Sequence, residues 1–312
     1  MRYTLSLHEA IHCQDQGHAS YTGWGTVKRL NGKAAEPPPD SMLEPPEPQP
    51  RVLVIAGSDP SGGAGLQADL KVLLALDVYA TSVITALTVQ DTARVHEVLP
   101  VDPWFVERQL EIVLDDVGAD AIKIGMLARR DTVELVARVC QSKARGIPIV
   151  LDPVLVSSSG HELLEVSGHT TLIRRLMPLC ALITPNAPEA ELITGIPVRE
   201  EAHLHQAADQ LLMMGQSAVL ITGGHLPGDR VVDLLRTADG LERRFEAPRL
   251  PDTPHGTGCA LASAIAAGLG HGYTLENAVE RAHEFVQEAI AGATRVGRGR
   301  RCLHVGLGAP VS

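Results

Sequence analysis

The stretch from Pro254 to Gly268, PHGTGCALASAIAAG, is the one around which the rest of the chain is organised. Gly256 and Gly258 flank Thr257, and glycine adopts turn angles that other residues rarely reach. An alanine-rich run follows at once, so a glycine-rich loop leads into the first turn of a helix. The unpaired N–H groups and the positive dipole end of such a turn favour anions. The stretch therefore predicts a phosphate-binding loop, although an ordinary turn before a packed helix shares the pattern.

The composition of the 312-residue chain limits the classes of function that it can have. Hydrophobic residues make up 45% and aromatic residues only 3%, so the core must be built from Leu, Ile, Val and Ala. A formal net charge of −10 argues against nucleic acid or a membrane surface as a partner. The five cysteines are odd in number and contain no C-x-x-C pair, which favours a reduced, cytoplasmic compartment. We expect neither a membrane span nor a secretory signal.

Residues 1–50 differ in composition from the remainder of the chain. Proline clusters such as AAEPPPD and EPPEPQP favour extended chain, so a disordered extension is predicted here. The segment HEAIH, from His8 to His12, matches the H-E-x-x-H zinc-protease pattern, but no domain large enough to hold a protease helix fits before residue 50. Two alternatives stay open, namely adventitious metal binding by these histidines with Cys13 and a true start at Met42.

From Arg51 onward, short apolar runs alternate with stretches of helical periodicity. The predicted strands are RVLVIAG, SVITAL, DAIKIG, IPIVLDP, CALITPN and SAVLITGG, with VVDLLRT and RRFEAPRL as two more at an edge that an antiparallel pair would suit. The predicted helices include Trp104–Asp115, Thr132–Ala144, Pro188–Thr194 and His203–Met214. This alternation predicts a three-layer α/β/α domain over 51–305, with a mainly parallel central sheet and helices on both faces. A short tail would follow over 306–312.

Polar residues recur at the predicted carboxyl ends of the strands. They are Asp59, Lys123, Asp152, Asn186, Glu189 and the run Gly223–His225. In a parallel sheet, ligands bind at this edge, so we expect a common cleft. The loop GSDPSGGAG lacks both the G-x-G-x-x-G spacing and the Lys-Ser/Thr of a Walker loop. It is therefore assigned to a substrate pocket, and phosphate to the loop at Gly256.

Seven motifs, taken in order, resemble the hydroxymethylpyrimidine/phosphomethylpyrimidine kinase family of thiamine biosynthesis, within the ribokinase-like superfamily. They are AGSDPSGGAGLQADLK, TALTVQDT, KIGML, LDPVLVSSSG, LITPNAPEAELITG, GGH and PHGTGCALASAIAA. The resemblance covers about Arg51 to Leu303. It implies a ribokinase-like fold and a kinase that uses ATP and Mg²⁺. Such an enzyme phosphorylates 4-amino-5-hydroxymethyl-2-methylpyrimidine and then converts the monophosphate to the diphosphate. A homodimer is also implied.

The resemblance assigns catalytic roles around the first stretch. Amides of Gly256, Thr257 and Gly258 would cradle the transferred phosphoryl group, and Cys259 would serve as the base at the acceptor hydroxyl. Because a thiol at a helix N-terminus can have a depressed pKa, we expect thiolate to be available near neutral pH. A small buried cysteine that packs against the sheet is the alternative.

The resemblance also assigns a metal and nucleotide region. Asn186 and Glu189 form the N-x-x-E pattern of the superfamily, which is associated with magnesium and its waters, and Asp152 would lie close to both metal and phosphate. Helix capping is the alternative for Glu189. Further nucleotide or phosphate contacts are implied at Lys123, Thr222 and Gly224. The family often has lysine where this chain has Ser158 and Thr222, which leaves more of the charge neutralisation to Lys123 and to backbone amides.

The pyrimidine would be recognised mainly by Gln90. Its carboxamide presents a donor and an acceptor together, which matches the amino group and the adjacent ring nitrogen of an aminopyrimidine. Asp69 matches a family residue at the substrate end of the cleft, with an exposed helix acid as the alternative. Gly57, Met126 and Val154 match further substrate positions.

Two other functions compete with this one. A pyridoxal or pyridoxine kinase is possible in fold terms, since some members accept vitamin B6 compounds, but Gln90 and Cys259 argue against it. A non-catalytic pyrimidine sensor would suit the missing lysines. The retention of Asp152, Asn186 and Glu189 argues against the sensor.

Overall fold

The computed structural model describes residues 49–157, 160–250 and 254–306. The predicted extension with its HEAIH segment, the alternative start at Met42 and the substitution at Ser158 lie outside the described residues, as does the tail after residue 306.

Nine strands of the described residues form one sheet. They are β1 (Arg51–Ser58), β2 (Tyr79–Gln90), β3 (Val95–Pro100), β4 (Ala121–Ile124), β5 (Ile149–Leu151), β6 (Leu182–Ile183), β7 (Ala218–Ile221), β8 (Arg230–Thr237) and β9 (Glu242–Pro248). Their order across the sheet is β3-β2-β1-β4-β5-β6-β7-β8-β9. Six neighbouring strands pair in parallel, namely β2, β1, β4, β5, β6 and β7. Strand β3 at one edge pairs antiparallel with β2, and at the other edge β8 pairs antiparallel with both β7 and β9. The predicted sheet and its antiparallel edge are confirmed.

Helices cover both faces of the sheet. They are α1 (Gly65–Ala75), α2 (Pro103–Asp116), α3 (Arg130–Lys143), α4 (Val166–Thr171), α5 (Ala187–Thr194), α6 (Glu201–Met213), α7 (Thr257–Gly270) and α8 (Leu275–Ala291). Side chains of α1, α7 and α8 pack in one buried cluster, and those of α2, α3, α5 and α6 in another. Successive side chains of β1 point to opposite faces of the sheet, so Val52 and Val54 belong to the first cluster and Leu53 and Ile55 to the second. The three-layer α/β/α architecture is therefore confirmed.

Small residues let α7 approach its neighbours closely. Its alanines from Ala260 to Ala267 are buried against the sheet. A Cβ on Gly268 would lie 2.9 Å from Cβ of Ala278 on α8, so only glycine fits at this crossing. This packing fixes the N-terminus of α7 at the carboxyl edge of the sheet. None of the helices that the structure describes is long and apolar enough to cross a membrane.

Candidate active site

The loop before α7 has the geometry of an anion site. Gly256 is the N-cap of α7 with a left-handed φ of 84°, and no described side chain caps the helix. A Cβ at Gly256 would lie 2.0 Å from the carbonyl oxygen of Gly63, so the loop also requires glycine for its close approach to the loop after β1. The Thr257 hydroxyl donates to the carbonyl of Pro254 at 3.0 Å. The first amides of α7 are therefore left open at the cleft.

Cys259 lies in the first turn of α7, beside a buried carboxylate. The charged groups that act on its thiol are Lys123, Asp152 and Asp69. Burial raises the pKa of the Cys259 thiol to about 12, and the negative charge of Asp152 adds to the rise while Lys123 opposes it. The expected depressed pKa is wrong for this structure, because desolvation outweighs the helix dipole. Near neutral pH the group is a thiol.

Lys123 lies in the core and not on the cleft surface. Its ammonium Nζ donates to Asp69 Oδ2 at 2.8 Å, and both side chains are fully buried. The other oxygen of Asp69 accepts from the Ser263 hydroxyl at 2.8 Å. Burial alone would lower the pKa of Lys123, but the acidic groups of Asp69, Cys259 and Asp152 raise it by a larger amount. The pKa of Lys123 therefore lies above its ordinary value. The ammonium is permanently charged.

This placement bears on two sequence-based expectations. The ammonium of Lys123 is enclosed and paired with Asp69, and its contact with a nucleotide phosphate stays a prediction. Asp69 is not an exposed helix acid, since its buried carboxylate is shared between Lys123 and Ser263, and its substrate role stays a prediction. The charges of the pair also act on Asp152 and Cys259, since Lys123 lowers the pKa of both groups and Asp69 raises it.

Two buried carboxylates lie together at the ends of β5 and β6. Burial raises the pKa of Asp152 to about 6, and Asp69 adds to this rise while Lys123 opposes it. Burial also raises the pKa of Glu189 well above its usual range, with Asp152 as the second cause. A Cβ on Gly258 would lie 3.8 Å from Asp152 Oδ2, so the pair adjoins the phosphate loop. Two buried acids that repel each other fit a divalent cation between them.

The capping alternative for Glu189 is present as well. Asn186 caps α5, since its Oδ1 accepts from the N–H of Glu189 at 3.0 Å, while Glu189 Oε2 accepts from the N–H of Asn186 at 3.0 Å. This capping box turns the carboxylate inward. Within the described ranges, no group of three or more His, Cys, Asp or Glu side chains is arranged to hold a metal. A metal here would depend on Asp152 and Glu189 together with water and phosphate oxygens.

The loop after β7 carries the predicted nucleotide residues Thr222 and Gly224. Thr222 bridges to Asn186, which joins this loop to the capping box. The next residue, Gly223, donates its N–H to Asp233 Oδ1 at 2.9 Å, and a Cβ there would lie 2.2 Å from the main-chain oxygen of Val232. The buried Asp233 on β8, whose pKa burial raises to about 6, therefore anchors the loop. Sequence analysis did not identify Asp233, because it lies on β8, outside the motif that contains Gly223.

Arginines supply positive charge near this loop. Arg249 donates to the carbonyl oxygens of Gly224 and Gly228, each at 2.7 Å. Burial lowers the pKa of His225, and the charges of Arg300 and Arg249 lower it further, so both guanidinium groups lie nearby. Sequence analysis did not identify Arg249, which directly follows β9, because only the folded β8–β9 hairpin brings it close to the loop at Gly224.

The predicted pyrimidine residues form a separate group at the ends of β1, β2 and β4. A Cβ on Gly57 would lie 2.8 Å from Met126 Sδ, and Met126 packs in one apolar cluster with Val154. Gln90 ends β2, where its side-chain amide nitrogen lies 2.9 Å from Nε2 of His255. His255 immediately precedes the phosphate loop, so it connects the two groups. Sequence analysis gave it no role.

Comparison with known proteins identifies the relationship of this chain. A family model described as phosphomethylpyrimidine kinase matches residues 59–304. The chain is 44% identical over 256 residues to the hydroxymethylpyrimidine/phosphomethylpyrimidine kinase of Escherichia coli (strain K12), covering 81% of this chain and 96% of that protein. It is 43% identical over 256 residues to a thiamine biosynthesis bifunctional protein of Geobacter sulfurreducens, and it spans 52% of that longer protein.

Solved structures give the same relationship. A phosphomethylpyrimidine kinase from Clostridium difficile 630 superposes with a TM-score of 0.69 at 37% identity, covering 78% of this chain and 100% of that one. An ADP complex of Bacillus subtilis pyridoxal kinase superposes with a TM-score of 0.75 at 32% identity, covering 82% and 97%. With the family's motifs spread over the described domain, these similarities show that the chain belongs to the phosphomethylpyrimidine kinase family.

Proposed function

We propose that this chain is an ATP-dependent kinase that phosphorylates 4-amino-5-hydroxymethyl-2-methylpyrimidine and then its monophosphate. The observation that carries the proposal is the uncapped N-terminus of α7, with Cys259 and Asp152 beside it and Gln90 joined to it through His255. Phosphoryl transfer requires positioning and charge stabilisation more than covalent help from the protein. An anion cradle next to a carboxamide that can read an aminopyrimidine supplies both requirements.

Each group of residues has a separate task in this reaction. The amides of Thr257 and Gly258 would receive the charge that develops on the transferred phosphoryl group. Gln90 would hold the pyrimidine so that its hydroxymethyl group faces Cys259. The thiol of Cys259, at the start of α7, would face the acceptor hydroxyl and assist the movement of its proton.

We also propose that Mg²⁺ takes part. Asp152 and Glu189 would hold it, directly or through water, because they are two adjacent buried carboxylates with raised pKa values. The ion would neutralise phosphate charge and orient the nucleotide. Arg249, at the loop that carries Gly224, would add positive charge on the nucleotide side.

Three broader assignments accompany the kinase proposal. We place the kinase domain at 51–305, in the cytoplasm, where the four described cysteines stay unpaired as the structure has them. A homodimer is supported by an apolar surface on β2 and β3, where Leu87, Val89 and Leu99 are exposed on neighbouring strands. Paired exposed side chains of this kind are typical of surfaces that bind a partner.

Pyridoxal kinase is the second candidate function. It is favoured by the superposition on the Bacillus subtilis pyridoxal kinase. The two candidates are separated by measuring ATP-dependent phosphate transfer to the hydroxymethylpyrimidine, its monophosphate, pyridoxal and pyridoxine. We expect turnover of both pyrimidines and a much smaller kcat/KM for the vitamin B6 compounds. Transfer to pyridoxal alone would reject the proposal in favour of the second candidate, and transfer to none of the four would favour the sensor.

Replacing Gln90 by Leu is expected to weaken binding of the aminopyrimidine by about 10- to 100-fold, since a lost hydrogen bond to a buried polar group costs about 1–3 kcal/mol. ATP binding should stay nearly unchanged, because Gln90 ends β2 and the nucleotide loop follows β7, with β1, β4, β5 and β6 between these two strands in the sheet. Calorimetric titration with each ligand measures both affinities. The control is Gln109→Leu on α2, whose carboxamide contacts the main chain of β2 at Ile84. Equal pyrimidine affinity in the parent and Gln90→Leu proteins would remove Gln90 from the pocket.

A further inference from the structure

His255 lies where three segments of the chain meet. Its main-chain N–H donates to the carbonyl of Arg301 at 2.8 Å, so the C-terminal segment holds it from one side. Its ring carbon Cδ2 would lie 2.9 Å from a Cβ on Gly63, so the ring packs against the loop after β1. Because His255 precedes Gly256 directly, its ring is fixed at the entrance to the phosphate loop.

The third contact of His255 is with the side chain that reads the pyrimidine. Its Nε2 lies 2.9 Å from Nε2 of Gln90. A carboxamide nitrogen carries hydrogens and cannot accept, so Gln90 donates and the ring nitrogen accepts. The proton of a neutral His255 must then sit on Nδ1. The other end of the carboxamide, Oε1, lies 3.3 Å from the hydroxyl of Thr88, whose proton is donated to the main-chain oxygen of Ser58 at 2.9 Å.

We propose that His255 is a specificity-determining residue that fixes which end of the Gln90 carboxamide faces each atom of the pyrimidine edge. The inference rests on the proposed function, in which Gln90 reads the amino group and the adjacent ring nitrogen. A carboxamide that turns end over end exchanges its donor and its acceptor. It then matches an oxopyrimidine, which offers an acceptor oxygen and a donating ring N–H. His255 acts through Gln90 and is therefore a positioning residue.

Protonation of His255 would remove this control. A charged imidazole donates from both nitrogens, so its Nε2 can no longer accept from Gln90. The nearest carboxylate is Asp59, whose Oδ2 lies 3.6 Å from that nitrogen. Asp59 accepts from the main-chain N–H groups of Ser61 and Ala64, both at 2.8 Å, which stabilises its ionised form. A protonated ring would therefore turn its N–H toward Asp59 and leave the carboxamide free.

The first test is the ratio of kcat/KM for the 4-amino substrate to that for its 4-oxo analogue. In His255→Phe, which keeps a flat ring without an acceptor, we expect the ratio to fall about 10-fold, with KM for ATP changed less than about twofold. The control His271→Phe, at the far end of α7, should leave the ratio unchanged. An unchanged ratio in this variant overturns the inference.

A double-mutant cycle separates positioning from general damage to the loop. In a Gln90→Leu background, His255→Phe should change the ratio no further, because residues that act through one another are not additive. An equal effect in both backgrounds overturns the inference.

The second readout needs no variant. Ring nitrogen-15 chemical shifts of His255 in the unmodified chain report which nitrogen carries the proton, and at about pH 8 we expect Nε2 to be unprotonated. A proton on Nε2 at this pH overturns the inference. If the unmodified chain does not phosphorylate the aminopyrimidine at all, the proposed function fails, and the nitrogen shifts still decide the role of His255.

Discussion

Replacing Lys123 by Met is expected to lower the free energy of unfolding by about 3–5 kcal/mol, which is the usual effect of removing one partner of a buried ion pair. The carboxylate of Asp69 would remain fully buried, with only the Ser263 hydroxyl at 2.8 Å to stabilise its charge. Burial already raises the pKa of Asp69 above its ordinary value, and the loss of Lys123 would raise it further. Urea unfolding of the parent and the variant measures the difference.

The sign of the pH dependence follows from this shift. An acid whose pKa is raised in the folded state binds its proton more tightly there than in the unfolded chain, so stability falls as the pH rises through that range. The penalty of Lys123→Met should therefore be smaller at about pH 5 than at about pH 8. The double variant Lys123→Met/Asp69→Leu should recover part of the loss, since no buried charge remains.

An exposed ion pair provides the matched control. Lys143 donates to Asp115 at 2.6 Å on the surface of α3 and α2. Lys143→Met should cost no more than about 1 kcal/mol, because exposed pairs gain little over hydration. If Lys123→Met were no more costly than this control, the ammonium would not be a structural counter-ion, and direct contact with phosphate would be considered again.

The alternation of strands and helices could be predicted from the sequence, because local patterns of apolar residues encode it. Buried parallel strands such as β1 read as continuous apolar runs, and glycines mark the loop before α7. Strand β3 was not predicted, since VHEVLP is a short edge strand with mostly exposed or half-exposed residues and a weak period. The position of the phosphate loop could also be predicted from a local pattern, because the turn and the start of the helix lie next to each other in the chain.

Contacts between distant segments could not be predicted in this way. Lys123 lies inside β4, one residue before the end of the strand, and its pairing with Asp69, 54 residues away, decides whether it faces the ligand or the core. Gln90 and His255 are 165 residues apart, and nothing in either motif indicates their contact. The pKa of Cys259 depends likewise on burial and on acids from other strands, which the local helix-terminus argument leaves out. Local pattern identified the residue types of the site, and tertiary packing determined their charge states.

Replacing Cys259 by Ala is expected to lower kcat by about 100-fold, toward the low end of the range for general acid–base help, because a loose transition state requires little early deprotonation of the acceptor. KM for ATP should change little, since the amide of residue 259 stays in place at the start of α7. Steady-state kinetics with each substrate varied in turn measures both constants. The control is Cys140→Ala on α3, a thiol whose pKa burial also raises to about 12, but which lies in the core away from the cleft.

Cys259→Ser separates the two ways in which the thiol can act. A serine hydroxyl ionises even less readily than the thiol, but like the thiol it can donate a hydrogen bond. Because the pKa of about 12 keeps Cys259 protonated near neutral pH, we expect the donor role to matter and Cys259→Ser to stay within about 10-fold of the parent rate. Reaching the thiolate at pH 7 from a pKa of about 12 would cost about 7 kcal/mol. A serine variant as slow as Cys259→Ala would show that the thiolate is needed, and that bound substrates lower its pKa. Parental turnover in Cys259→Ala would instead make the thiol a packing group.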